Sequence, residues 1–351
     1  MHLFLSTEDG EQFLAEELRR AMPGVSPVAL APGLLGADFP IGSSASGMMA
    51  FARQFLPEAI EVKAPSINAW AERLFATVTE RLPEQQPWRL HIAPHYGAAH
   101  AGMSRCELIR ERLDELLQKK RRHLRRTWVK EPRVFAREDA LVQLLLTGPE
   151  AGFLSVASAP LPWAWRGVVS PFPKGEVPIA EDKAAPSRAF AKVVEAELRL
   201  GRRIAADETC VDLGASPGSW SYVALHRGAQ VIAVDRSPLR EDLMRDARLK
   251  FMQGDAFKFR PDVTPVDWLL CDVIAAPQRS MDLLLEWVRE RRARRFVVTI
   301  KFKGHDSSGA MRRPTRNSAS TSLVKARLGA AVSSAMGTSP LGNGDNTARH
   351  E

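Results

Sequence analysis

The chain has 351 residues, of which 45% are hydrophobic and 26% charged, enough to build a sizeable core and too apolar for a wholly disordered chain. Lys plus Arg number 49 against 41 for Asp plus Glu, and the net charge of +8 points to a polyanionic partner, nucleic acid first. No apolar run approaches the roughly 18 residues that span a bilayer, and the N-terminus lacks a basic-then-apolar leader, so neither a membrane protein nor a secreted one is expected.

In chain order, Met1–Ser6 predicts a strand and Glu11–Met22 a helix that carries Phe13, Leu14, Leu18 and Met22 on one face and stops at Pro23-Gly24. Met48–Phe55 predicts a second strand, Ile67–Leu82 a helix and Trp88–Ala93 a third strand. A long helix follows, capped by Ser104 and running to about Arg126. Leu141–Thr147 and Gly152–Ala157 predict two strands joined at Gly148-Pro149. Residues 1–160 are therefore expected to form a small α/β module. Six prolines between 160 and 186 break regular structure, which places a connection over 161–186, with Trp163 and Trp165 packing it onto a neighbour.

Ser187 is expected to open a helix with Phe190, Val193, Val194 and Leu198 on one face. Strands are then predicted at Thr209–Leu213, Gln230–Val234, Leu249–Gln253, Trp268–Cys271 and Arg295–Ile300, with helices around Ser219–His226, Leu239–Ala247 and Ser280–Arg291. This alternation predicts a Rossmann-like, doubly wound parallel sheet over 187–303. The tail, 304–351, is rich in small and polar residues, has no strand pattern, shows a helical hint only at Ser322–Val332, and is expected to be poorly ordered.

The strongest chemical signal is Val211-Asp212-Leu213-Gly214-Ala215-Ser216-Pro217-Gly218-Ser219-Trp220, where a strand gives way to a helix. Glycines at such a turn let a ligand approach the backbone, and open α/β sheets bind ligands at the carboxyl ends of their strands. The turn is neither GxGxxG nor a P-loop, which disfavours dinucleotides and triphosphates. Asp235 ends the next strand, about 20 residues on, where an acid can hold ribose hydroxyls. Asp255 ends the third strand and Asp272 the fourth. A single Asp there would be read as a helix cap, but three beside a glycine turn favour a nucleoside ligand. Lys301 closes the fifth strand and Lys192 lies on the helix before the turn, and lysines brought together can act as a general base. For Lys192 a solvated helix face is an equal reading. Cys106, Cys210 and Cys271 have neither zinc nor disulfide spacing, so no metal is expected and a reduced, cytoplasmic protein is.

DLGASPGSW resembles the DLGAAPGGW motif of the FtsJ-like RNA ribose 2′-O-methyltransferases, and the resemblance runs from Ala185-Pro186-Ser187-Arg188 through Cys271-Asp272-Val273 to Ile300-Lys301-Phe302-Lys303-Gly304. Ala185–Arg188 and Gly254–Phe259 are most similar to the RlmM branch, which methylates a cytidine ribose in 23S ribosomal RNA. Phe51-Ala52-Arg53-Gln54 also resembles that branch, whose N-terminal half carries a THUMP RNA-binding domain. The resemblance implies S-adenosyl-L-methionine as cofactor, held by Ser187, Gly214, Ser216, Pro217, Gly218, Ser219, Trp220, Asp235, Asp255 and Asp272. It implies a catalytic set of Lys192, Asp272 and Lys301, and RNA, not DNA, as partner. Two departures stand out: Ser219 replaces a second glycine, and the family's final catalytic glutamate has no counterpart.

Two basic clusters, Lys119–Arg126 and the five arginines within Arg289–Arg295, match an RNA backbone, although cations also favour helix C-termini. The alternatives are a non-catalytic RNA-binding protein that keeps the methyltransferase fold, and a methyltransferase acting on another RNA. A base methylator would show a catalytic Cys or an Asn/Asp-Pro-Pro-aromatic turn, and Cys271-Asp272-Val273-Ile274 has no such turn.

Overall fold

The computed structural model describes residues 1–40, 49–97, 101–130, 139–158, 165, 168–301 and 322–323. The chain opens with β1 (His2–Leu5), α1 (Glu11–Ala21), β2 (Val28–Ala31), β3 (Leu34–Ala37) and β4 (Gln54–Leu56). These strands make an antiparallel sheet in the order β2-β3-β1-β4, and α1 buries Leu14 and Leu18 on it. A second sheet follows from β5 (Ile60–Lys63), α2 (Ile67–Arg81), β6 (Trp88–Pro94), α3 (Met103–Lys120), α4 (Arg122–Thr127), β7 (Ala140–Leu146) and β8 (Ala151–Ala157). Its order is β5-β8-β7-β6, with only β6 and β7 parallel. All seven residues of β7, Ala-Leu-Val-Gln-Leu-Leu-Leu, are buried, as a near-continuous apolar run in a covered central strand should be.

The first half thus carries two sheets, and β2, β3 and β5 fell outside the predicted elements because each is a four-residue strand, two of them mostly exposed. The expected 104–126 helix is two helices. Arg121 takes φ −146°, ψ 64° and breaks it, while Gly102 in the left-handed region, not Ser104, precedes the first turn.

Trp165 is buried and stacks on Phe55 and Phe39 at centroid distances of 4.7 and 5.0 Å, anchoring the connection as expected; Trp163 lies outside the described residues. Further on, the buried Gln54 side chain donates to the carbonyls of Ser170 and Phe172, both at 3.1 Å, and accepts from the Ser170 amide at 2.8 Å. Gly175 has φ +71°, and a Cβ there would lie 2.1 Å from the Arg53 carbonyl oxygen, so only glycine fits. The Gly175 carbonyl accepts from Arg199 at 2.6 Å, tying this stretch to the second half.

The second half comprises α5 (Phe190–Leu200), β9 (Thr209–Leu213), α6 (Ser219–His226), β10 (Gln230–Asp235), α7 (Glu241–Met244), β11 (Leu249–Gln253), β12 (Val266–Cys271), α8 (Pro277–Arg289) and β13 (Ala293–Val298). The strands form one fully parallel sheet in the order β11-β10-β9-β12-β13, the doubly wound architecture expected. Successive side chains alternate between two cores: Cys210 and Trp268 pack with Val193 and Trp220 on one face, Val211 and Leu269 with Leu283 and Trp287 on the other.

Several boundaries differ from expectation. The first helix begins at Phe190, the 239–247 helix shrinks to Glu241–Met244, the 280–291 helix runs from Pro277 to Arg289, the 268–271 strand starts at Val266, and the last strand divides. Thr299 still donates to the Cys271 carbonyl at 2.9 Å, and β14 (Ile300–Lys301) then pairs antiparallel with β15 (Ser322–Leu323). A tail expected to lack strands therefore contributes one, since an open strand edge is a template for pairing. The rest of the tail, with Gly304 and the helical hint beyond Leu323, lies outside the described residues. Among the described residues no helix is long and apolar enough to cross a membrane, and Cys106, Cys210 and Cys271 are buried free thiols.

Candidate active site

A cleft of about 430 Å³ opens at the carboxyl ends of β9, β10, β11 and β12. Gly214 forms its floor at φ +76°; a Cβ there would lie 2.6 Å from Val273 Cγ1, so the strand-to-helix turn can sit this close to the β12 loop only without a side chain. Gly218, at φ +111°, serves differently. It faces Leu239 and Leu243, not the cleft, where a Cβ would come within 2.4 Å of Leu243. Ser187, Gly214, Ser216, Pro217, Ser219 and Trp220 all line the cleft. Ser219, standing where a glycine was expected, shares a 2.7 Å hydrogen bond with Ser187, and Trp220 donates to the Ala189 carbonyl at 2.9 Å.

The three strand-end acids converge as predicted. Asp235 accepts from the Ser216 amide at 3.1 Å and the Ser237 amide at 2.9 Å, so the glycine turn and the β10 end hold its carboxylate in place. Asp255 accepts from the Phe257 amide at 3.0 Å, the main reason its carboxyl lies below the ordinary range, with Arg236 at 3.2 Å adding to it. Asp272 is flanked by two lysines. Lys192 Nζ lies 3.1 and 2.9 Å from its two oxygens, and Lys301 Nζ lies 3.2 Å from Oδ1 while donating to the Asp272 carbonyl at 3.0 Å. Of the two, only Lys301 lines the cleft; Lys192 reaches Asp272 from α5, which rules out the solvated-face reading.

Asp212 lines the cleft but was not singled out beforehand. It is wholly buried, and burial pushes its carboxyl up to about 7 against the Ser221 hydroxyl, which donates at 2.7 Å; Asp272 and Asp235 add to the rise. An acid inside the otherwise apolar run Cys-Val-Asp-Leu was the available signal. Arg279, whose guanidinium sits 3.8 Å from the Phe257 ring centroid, also lines the cleft without having been anticipated. Burial pushes the Cys271 thiol up to about 12, so the residue beside Asp272 offers no thiolate nucleophile. Among the described residues no group of His, Cys, Asp and Glu is arranged to hold a metal.

The basic clusters divide. Arg121, Arg122 and Arg126 are exposed, whereas Arg125 is bound to Asp114 at 3.0 and 2.9 Å. In the second cluster Arg292, Arg294 and Arg295 are paired with Glu286, Asp267 and Glu208 at 2.9, 2.8 and 3.1 Å, so those three serve the fold.

Residues 185–325 match the family model of the FtsJ-like methyltransferases. The matched stretch contains the glycine turn, the strand-end acids, both lysines and also β15, past the boundary of 303 expected from the sequence. Three relatives bear the name ribosomal RNA large subunit methyltransferase M. The protein from Thauera aminoaromatica is 36% identical over 155 residues, 42% of this chain and 42% of that protein. The one from Laribacter hongkongensis is 35% identical over 170 residues, 47% of this chain and 46% of its own length. The one from Halorhodospira halophila is 39% identical over 146 residues, 41% of each. The chain spans less than half the length of the relatives it matches.

Proposed function

We propose that this chain is an S-adenosylmethionine-dependent RNA methyltransferase whose acceptor is a ribose 2′-hydroxyl, with a cytidine of 23S ribosomal RNA or its large-subunit precursor as target and the cytoplasm as its compartment. One observation carries the reading: Lys192 and Lys301 meet on Asp272 at the edge of a cleft that the glycine turn, Asp235 and Asp255 also line.

The cleft suits the cofactor. Its volume lies within the 300–1,000 Å³ or so typical of small-molecule sites. Asp235, held by two backbone amides, can accept from two ribose hydroxyls, and Asp255 from an adenine amine, while Gly214 leaves backbone open to the ligand. S-adenosylmethionine supplies an electrophilic methyl group when bound. What the chain must add is alignment and a proton acceptor, because a ribose hydroxyl is a poor nucleophile until deprotonated. Lys301 Nζ is the acceptor, facing the cleft from β14. Asp272 holds it through both its carboxylate and its backbone carbonyl, and Lys192 fixes Asp272 from behind. Both lysines share one carboxylate, which fixes the Lys301 amine at the edge of the cleft where an acceptor hydroxyl would stand.

The non-catalytic reading is disfavoured by this assembled set, which needs no glutamate to hold its geometry. The first half, residues 1–160, is proposed as a THUMP-like RNA-binding module, joined through 161–186 to a catalytic part spanning 187–303; its support is the exposed Arg121, Arg122 and Arg126 and the net charge of +8. The test is methyl transfer from labelled S-adenosylmethionine to unmodified 23S ribosomal RNA, with the product mapped for ribose methylation. Label on a base, or none on RNA, would refute the reading.

A further inference from the structure

Ile274 is 87% exposed, the most exposed large hydrophobic residue among those described, and it lines the cleft two residues beyond Asp272. A lone surface isoleucine is ordinarily unremarkable. This one is held outward by its neighbours. Val273 before it is buried against Gly214, and Ala275 after it packs on the core that contains Leu283 and Trp287. Pro277 then starts α8. With both flanking residues tied down, the loop has no freedom to fold Ile274 into the core.

Its place along the sheet excludes the adenosyl end of the cleft. Strand order is β11-β10-β9-β12-β13, and Asp255 and Asp235 follow β11 and β10. Ile274 follows β12, two strands from β10 and three from β11, so at about 4.8 Å per strand it stands on the order of 10–14 Å from those ends. On its own side are Asp272 and Lys301, the latter just after β13. A group resting on Ile274 is therefore next to the proton acceptor and away from the acids that hold the cofactor.

Resting on the function proposed above, we infer that Ile274 is the apolar platform seating the base of the target nucleoside, so that the attached ribose presents its 2′-hydroxyl to Lys301. A nucleobase is flat, with two apolar faces, and gains from covering an aliphatic side chain whichever base it is, whereas hydrogen-bond readout would need polar groups there. Ile274 thus positions the nucleoside without selecting its identity.

The experiment is steady-state methyl transfer to in-vitro-transcribed 23S ribosomal RNA by the full chain and by Ile274→Ala, Ile274→Asp and Ile274→Leu, with S-adenosylmethionine affinity measured by calorimetry. Ile274→Ala is expected to lower kcat/KM for RNA about fivefold or more, Ile274→Asp further, and Ile274→Leu to retain near wild-type values, all with unchanged cofactor affinity. Wild-type kcat/KM in both the Ala and Asp variants would overturn the inference and leave the proposed function standing. Loss of cofactor affinity in Ile274→Ala would also overturn it, by assigning the side chain to the cofactor. Absence of transfer by the wild type would remove the functional reading and this inference with it.

Discussion

Both halves of the chain bury polar groups, to opposite ends. In the first half Gln54 and His91 are buried and directed at backbone: Gln54 bonds the Ser170 and Phe172 backbone, and His91 lies 3.2 Å from the Pro171 carbonyl. In the second half the buried Asp212 and the partly buried Asp272 sit where strands end and open on the cleft. Polar burial in the first half holds the chain to itself, and in the second it holds side chains ready for something else. A buried polar group is costly unless partnered, so the two kinds should fail differently when altered.

The largest effect is expected at the cleft. Lys301→Ala should lower methyl transfer by roughly 10³-fold, within the range for loss of a general base, while cofactor affinity stays within about threefold. Single-turnover transfer with parallel calorimetry distinguishes the two, and transfer at the wild-type rate would reduce Lys301 to a structural ion pair. Gln54→Leu should lower unfolding free energy by about 3 kcal/mol, because it strands the Ser170 amide and two carbonyls in the interior, yet leave affinity for the cofactor intact. Urea unfolding reads this directly, and a loss below about 0.5 kcal/mol would show that water replaces the side chain.

The pH dependence of stability sets the halves against each other. Asp212 loses its proton near 7 when folded against 3.8 otherwise, so stability is complete below 3.8 and falls as pH rises towards 7. His91, pushed down to about 3 by burial, titrates at 6.5 when unfolded, so its contribution is complete above 6.5 and falls as pH drops towards 3. Asp212→Asn should therefore gain on the order of 2 kcal/mol over wild type at pH 8 and nothing at pH 4, seen in urea midpoints at the two pH values. An equal change at both would assign the difference to packing alone. The smallest effect belongs to the surface: reversing Arg121 and Arg122 to Glu should weaken RNA binding severalfold and flatten its salt dependence, and an unchanged salt slope would return that helix end to solvent.

Much of the second half was legible because β9, β10 and β12 are largely apolar runs closed by a conspicuous residue: Gly214 after β9, Asp235 at the end of β10, Asp272 after β12. The convergence of Lys192 on Asp272 needed the fold, since 80 residues separate them and only the helix packing brings them to 2.9 Å. Asp212 carried a signal, an acid inside an apolar run, but that Ser221 holds its carboxyl beneath the cleft depends on the turn from β9 into α6, which no spacing reveals. In the first half the long amphipathic helices were plain, but β2 and β5 are short, exposed edge strands with no apolar alternation to read. The helix break at Arg121 had no Gly or Pro to announce it, and Leu124 is buried in α4 on the far side of that break.

The stretch from Ser170 to Gly175 is grasped from both sides, by Gln54 and Arg53 on one and by Arg199 on the other. A clasp of this kind turns a connector into a gauge block. Were the clasp to hold in solution, the span from the exposed arginines of the first half to Lys301 in the second would be fixed, and a polymer gripped at one point would be measured out to the other. Selection of a target would then depend on the distance along the ligand between its gripped and its reacting positions, with no letter of its sequence having to be read.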